Sequence, residues 1–466
     1  MSGRLNRAAR RAASSKALPP EIRRRIEEEV AGHLEDAAAE YASVGYSRRQ
    51  AESRALVDFG DLRKTRIDLG RVWRGRRVFL FPEAPGEHVG SLLVYDAKAL
   101  LTIVLIVLLL RWQVVAAYHI PTKSMEPTLH GDPNNGDKIL VNKLYYRFFE
   151  PERWQIAVFE KDGDDPNLIK RIGATGGETI DILYGDIYIT PPGEATARIA
   201  RKPRDVQDEL LVPVFAGNQD IQSGRGVAPK RGLAAWRQEP KGSWGEDEGV
   251  FTCSPQEAGT AWIGFDREVF DEEPGISGRA AVGDLALEFR VVPDADVLMV
   301  GVELREGEDA FEVRLPVGKS GETTLRRNGE RVGVAAGVRL APGVATRVRF
   351  ANLDGRITLE LSGEEVLAWD VVDPSAAGTR PVPPARIGAT GGRAEFRDLT
   401  LYRDIHYHKS SDGRLPFLVP PEHCFMLGDK SNNSQDSRAF GSIPQANLVG
   451  RPMFVFWPPA RLKVVR

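Results

Sequence analysis

The sequence predicts a mainly β protein with a helical N-terminal prefix and one membrane-spanning helix. Three observations lead there. Short runs between residues 285 and 402 alternate apolar and polar side chains, the period of half-buried strands. Ile22, Ile26, Val30, Leu34 and Tyr41 recur instead at helical spacing. Between these regions, residues 99–110 form an uncharged apolar run.

Composition sets the outer limits. A chain of 466 residues accommodates two to four domains. Its net charge of −2 removes any global attraction to nucleic acid, so no nucleic-acid partner is expected. Cys253 and Cys424 allow one disulfide and no disulfide framework. The seven histidines lack zinc-type spacing. His406 and His408 would share one face of a strand, but two ligands do not make a site, and neither a metal nor another cofactor is expected.

Residues 1–18 carry Arg4, Arg7, Arg10, Arg11 and Lys16 with no apolar core behind them. This excludes a cleavable signal peptide and reads as a disordered cytosolic tail. Residues 19–69 read as a cytosolic pair of helices. Gly45 is placed to end the first, and Ser47 with Gln50 forms a capping box for the second. The pair resembles the short helical prefixes found ahead of membrane segments in some bacterial permeases. A basic linker, 70–98, follows, with Arg71, Arg74, Arg76 and Arg77. The apolar run falls short of the ~20 residues that cross a bilayer. Extension through Trp112, Val114, Val115 and Tyr118 gives a span over 99–118, with Arg111 snorkelling to the headgroups. The preceding arginines put the N-terminal side in the cytoplasm and residues 119–466 outside.

Residues 190–249 show no sustained period. Residues 250–405 read as an inserted β-sandwich. Leu285, Leu287, Phe289 and Val291 alternate, as do Phe311, Val313 and Leu315, while Asn328-Gly329 and Asp354-Gly355 mark tight hairpin turns. The run 394–402 resembles the last strand of concanavalin-like jelly rolls, which brings in a glycan as a candidate ligand of the insert. Arg-Ile-Gly-Ala-Thr-Gly-Gly occurs at 171–177 and again at 386–392, read as two similar strand-and-turn pieces.

Chemistry gathers in three stretches. In Ile120-Pro121-Thr122-Lys123-Ser124-Met125-Glu126-Pro127-Thr128, two prolines bracket a serine and favour extended backbone. A serine hydroxyl needs a base. His119, His130 and His423 have no convincing carboxylate partner in sequence, and neither Gly-x-Ser-x-Gly nor Ser-x-x-Lys occurs. A lysine base remains. Lys170 lies among Leu168, Ile169 and Ile172, whose burial would favour the neutral amine. An edge-strand gatekeeper is the competing reading of this lysine. The third stretch runs Gly428-Asp429-Lys430-Ser431-Asn432-Asn433-Ser434-Gln435-Asp436-Ser437-Arg438.

In this order the three stretches resemble the type I signal peptidases, over about residues 98–190 and 405–458. Two departures stand out. After the Lys170-Arg171 pair the family usually has a hydrophobic residue, glycine and a Pro-Gly-Asp turn, whereas this chain has Gly173-Ala174-Thr175-Gly176-Gly177-Glu178, and Lys430-Ser431 stands where the family favours Asn-Arg. The resemblance implies an antiparallel β catalytic domain in two parts, 119–249 and 406–466. It implies Ser124 as nucleophile, Lys170 as general base, and the Ser124 amide with the Thr122 hydroxyl as oxyanion hole. Ser434 would orient Lys170, Asp436 and Arg438 would pair, and Gly428 and Asp429 would support the loop. The implied function is a serine endopeptidase, single-pass in the bacterial inner membrane, that removes signal peptides from exported precursors. Its partners would be secretory precursors with small residues before the cut, and membrane lipid. The alternatives are an envelope receptor with an inactive protease frame and a ligand-binding sandwich, and a self-cleaving repressor-like protease, which would carry a DNA-binding N-terminus.

Overall fold

The computed structural model describes residues 3–15, 18–76, 99–104, 107, 114–161, 167–217, 219–221, 230–256, 259–271, 280–318, 321–371, 382–409 and 413–465. It divides into two compact units, 1–108 and 109–466.

The helices of the first unit include Gly3–Ala13, Pro20–Ser43, Arg48–Asp58 and Leu62–Arg76. The expected disordered tail is therefore largely helical. Leu5 and Ala8 are spaced to share one helical face, and they pack with Leu34, Val30 and Leu56 while the arginines point away. The capping box forms as expected, with the Ser47 amide donating to the Gln50 side chain. The helix Leu62–Arg76 runs into what sequence reads as linker; residues 77–98 of that linker lie outside the described residues.

The expected span needs a correction at its far end. Residues 99–104 and 107 are helical, whereas 105–106 and 108–113 lie outside the described residues. Val115–His119 is a strand, paired antiparallel with Lys138–Asn142 so that Tyr118 faces Ile139. Hydropathy favours neither state for this segment, and an available sheet edge decides it. Among the described residues no helix is long and apolar enough to cross a membrane.

The second unit holds the antiparallel frame and the sandwich. The frame's main sheet runs Val115–His119, Lys138–Asn142, Leu448–Trp457, Ile156–Phe159, Leu168–Thr175, His423–Leu427 and Ile443–Pro444. A late segment, Leu448–Trp457, thus lies between two early strands, which joins the halves separated by the insert. A smaller sheet includes Thr179–Leu183 and Asp186–Thr190.

The insert is a sandwich of a nine-stranded and a seven-stranded sheet around one apolar core that includes Phe251, Phe289, Phe311, Phe350 and Phe396. It begins at the strand Val212–Ala216, not at residue 250, because that strand pairs with Ala394–Arg403. Prolines and isolated apolar residues in 212–249 hid short edge strands that only their partners define. Both predicted hairpin turns form, with positive φ at Asn328, Gly329, Asp354 and Gly355. The repeated heptapeptide supplies strand residues at both places, Leu168–Thr175 and Ala385–Gly391. Cys253 and Cys424 are both buried and free, in separate cores, and burial pushes each thiol up to about 12.

Frame and insert meet at a buried polar junction. Lys202 pairs with Asp354 and, at 2.9 Å, with Asp404. Burial, aided by neighbouring carboxylates, pushes Asp186 and Asp284 well above the usual carboxylate range.

Candidate active site

Ser124 sits in a single 3-10 turn, Lys123–Met125, between extended Thr122 and Glu126. The backbone is therefore extended on both sides of the serine rather than at it. The loop doubles back so tightly that a Cβ on Gly131 would lie 1.7 Å from the Thr122 carbonyl oxygen, so only glycine fits there. Met125 and Leu129 anchor the loop in the core with Ile139, Val141 and Ile156.

Lys170 lies on Leu168–Thr175, a central strand with Ile156–Phe159 on one side and His423–Leu427 on the other. It is no edge gatekeeper. Its Nζ donates to Ser124 Oγ at 2.6 Å, and both residues are buried, 4% and 6% exposed. Burial pulls the amine from its ordinary 10.5 to about 8, against the opposing fields of Asp436 and Asp429. The Thr122 hydroxyl is 3.4 Å from Ser124 Oγ.

The next residue along the strand does different work. Arg171 is 1% exposed and grips Asp429 with two parallel bonds of 2.8 and 2.9 Å. It also donates to the Trp154 carbonyl at 2.7 Å and to the Thr128 hydroxyl at 3.1 Å, and Thr128 donates to Asp429 at 2.5 Å. This network ties the serine loop, the lysine strand and the last loop together. Sequence reasoning assigned no role to Arg171 or Thr128, although both stand inside the motifs it singled out.

Asp436 and Arg438 pair through two bonds of 2.9 and 2.7 Å, and Asp436 also accepts from the Gly428 amide at 3.0 Å. A Cβ on Gly428 would meet Ser434 Oγ at 2.1 Å and the Ser124 carbonyl at 2.7 Å, so this glycine lets the two strips touch. The Lys430 amide donates to that Ser124 carbonyl at 3.0 Å. Ser434 does not bond Lys170; its Oγ is buried with no hydrogen-bond partner. Two of the three candidate histidines bond elsewhere. His130 Nδ1 lies 3.3 Å from Glu126, and His423 bonds the Pro421 carbonyl. Beside the serine loop opens a cleft of about 420 Å³, bordered by Glu126, His130, Lys430, Asn432, Asp271 and Arg403.

The sequence of this frame matches one family description, "Signal peptidase, peptidase S26", over residues 93–227 and 382–457. The likeness to this family covers these two stretches, less than half of the chain. The two matched stretches flank most of the sandwich and take in its strands Val212–Ala216, Ala385–Gly391 and Ala394–Arg403. Similar relatives include signal peptidase I of Aquifex aeolicus, 47% identical over 85 residues, which is 18% of this chain and 32% of that one. A probable signal peptidase I-2 of Synechocystis is 33% identical over 114 residues, 23% of this chain and 49% of its own length. Thylakoidal processing peptidase 1 of Arabidopsis thaliana is 35% identical over 71 residues, 15% and 21%. The matches thus span at most about half of these relatives' lengths. Among solved structures, a carbohydrate-binding module CBM66 of Bacillus subtilis aligns over 36% of this chain and 94% of its own, at 12% identity and a TM-score of 0.27. Likeness at that level carries nothing about a ligand.

Proposed function

We propose that this chain is a serine endopeptidase that removes signal peptides from exported precursor proteins, with Ser124 as nucleophile and Lys170 as general base. One observation carries the reading: the 2.6 Å bond between Lys170 Nζ and Ser124 Oγ inside a buried pocket. A lysine with its proton affinity lowered to about 8 is neutral in part near neutral pH, so it can take the serine proton. Ser124 Oγ then attacks the scissile carbonyl. The Ser124 amide and Thr122 hydroxyl stabilise the oxyanion, and the Lys170 ammonium protonates the leaving amine. Water, activated by the same lysine, releases the acyl group. Asp429 and Arg171 hold the two loops in register, and Asp436 with Arg438 holds the Gly428 end. In this reading Ser434, whose buried hydroxyl beside Gly428 has no other hydrogen-bond partner, orients Lys170.

The substrate is a secretory precursor with small residues before the cut, bound as an added strand. The catalytic unit faces the outside of the inner membrane, with the N-terminal helices in the cytoplasm; protease shaving of spheroplasts that removed the N-terminal part alone would reverse this. A glycan as ligand of the insert would give binding on an array of envelope polysaccharides, and no signal there discards it. The intact dyad favours an active enzyme over a receptor with an inert protease frame. The test is cleavage of a precursor peptide by the purified chain. Ser124→Ala and Lys170→Ala should each abolish it, and cleavage by Lys170→Ala at near the parent rate would eliminate the dyad.

A further inference from the structure

We infer that the inserted sandwich completes the peptidase site, with Asp271 as a positioning residue for the loop that carries Lys430 to Arg438. The inference rests on the Ser124–Lys170 reading given above. Asp271 follows the sandwich strand Thr260–Phe265 and belongs to the insert, yet its carboxylate faces the frame. Its Oδ2 accepts from Asn432 Nδ2 at 2.6 Å and bonds His408 Nε2 at 2.6 Å. Its Oδ1 accepts from the Ala280 amide at 2.7 Å, and Arg403 donates to its backbone carbonyl at 2.5 Å.

The path onward is short. Asn432 is two residues from Lys430, whose amide holds the Ser124 carbonyl at 3.0 Å. His408 leads to the same loop by a second route. Its amide donates to Ser431 Oγ at 2.8 Å, and its carbonyl accepts from Arg438 at 2.8 Å. Arg438 in turn grips Ser431 and Asp436. One carboxylate of the insert therefore fixes both ends of the loop that touches the nucleophile.

Asp271 is built to hold this post as an anion. Burial works against its charge, but the hydrogen bonds from His408, the Ala280 amide and Asn432 outweigh burial and keep the carboxyl below its ordinary 3.8. Charge-assisted bonds of this kind are the strong ones, so their loss loosens the loop rather than merely weakening a surface contact.

The test measures kcat and KM of the full chain in detergent on a precursor peptide, for Asp271→Ala, Asp271→Asn, Asn432→Ala and the Asp271→Ala/Asn432→Ala double variant, with Ser124→Ala alongside. Asp271→Ala should lower kcat about tenfold, the order expected for losing a charge-assisted bond that positions a reacting group, while KM moves less than about twofold. Asp271→Asn keeps one acceptor oxygen but loses the charge and turns an amide N–H toward a donor, so it should recover only part of the loss. The double variant should be no worse than the worse single one, because both act through one contact. Asn432 is exposed, so its variant folds even where Asp271→Ala does not. Parent kcat in Asn432→Ala, or fully additive losses in the double variant, would overturn the inference. If Ser124→Ala still cleaves, the dyad reading itself fails. If Ser124→Ala is dead while folded Asp271→Ala works at full rate, only the role of the insert fails.

Discussion

Replacing Lys170 by methionine should make the protein more stable and inactive, and the gain should depend on pH. The amine falls from 10.5 to about 8 on folding because it is buried. At about 1.4 kcal/mol per tenfold change in proton affinity, this costs the folded state about 3 kcal/mol when the lysine is charged. The unfolded chain binds this proton more tightly. The cost is therefore complete below the folded value of about 8 and fades as pH rises toward 10.5. Methionine keeps most of the apolar stem and removes the charge, but it also leaves Ser124 Oγ without its donor, a loss of about 1 kcal/mol. The net gain should be about 2 kcal/mol at pH ~6.5 and should vanish or reverse near pH ~10. Urea unfolding of the full chain in detergent, followed by the fluorescence of residues such as Trp154, Trp236 and Trp244, measures it. In parallel, kcat/KM of the parent should rise with pH through about 8. Equal destabilisation of Lys170→Met at both pH values would refute the argument, since burial would then not be holding the proton off.

Other outcomes follow from the same geometry. Arg171→Met should cost about 3–5 kcal/mol by leaving Asp429 buried and unpaired, and Arg171→Lys should not restore the two-bond grip; urea midpoints decide. Gly428→Ala should cut kcat by more than about a hundredfold, because its Cβ would displace Ser434 Oγ and the Ser124 carbonyl; parent activity would show that the loop has room to shift. Asp284→Asn should raise the melting temperature at pH ~8 and leave it unchanged at pH ~4. The carboxyl is pushed up on folding, so its stabilising share is complete below the unfolded value and is lost as pH rises through the folded one. A lower melting temperature at pH ~8 would refute that sign. Residues 212–403, expressed alone, should unfold in one cooperative β-rich transition, and a gradual melt would deny the sandwich its independence.

Much of this protein is written in local pattern. Period-2 alternation at Leu285–Val291 and the Asn328-Gly329 and Asp354-Gly355 turns define strands and hairpins whose geometry depends on neighbours in sequence. The capping box at Ser47 and Gln50 is equally local. The three motifs placed Ser124, Lys170 and Asp436 on the chain because each needs its own loop or strand. What the chain could not say alone is who meets whom across hundreds of residues. Val115–His119 reads as the end of a hydrophobic helix until a sheet edge takes it, and Gly3–Ala13 reads as a tail until Leu34 covers Leu5. The sandwich starts at Val212 because Ala394–Arg403, nearly two hundred residues later, supplies its partner. Arg171 meets Asp429 across 258 residues, and Asp271 meets Asn432 across 161. A charge in sequence has no sign of its partner. Burial selects the partner, because an ion taken out of water persists only where the fold sets an opposite charge or a donor against it.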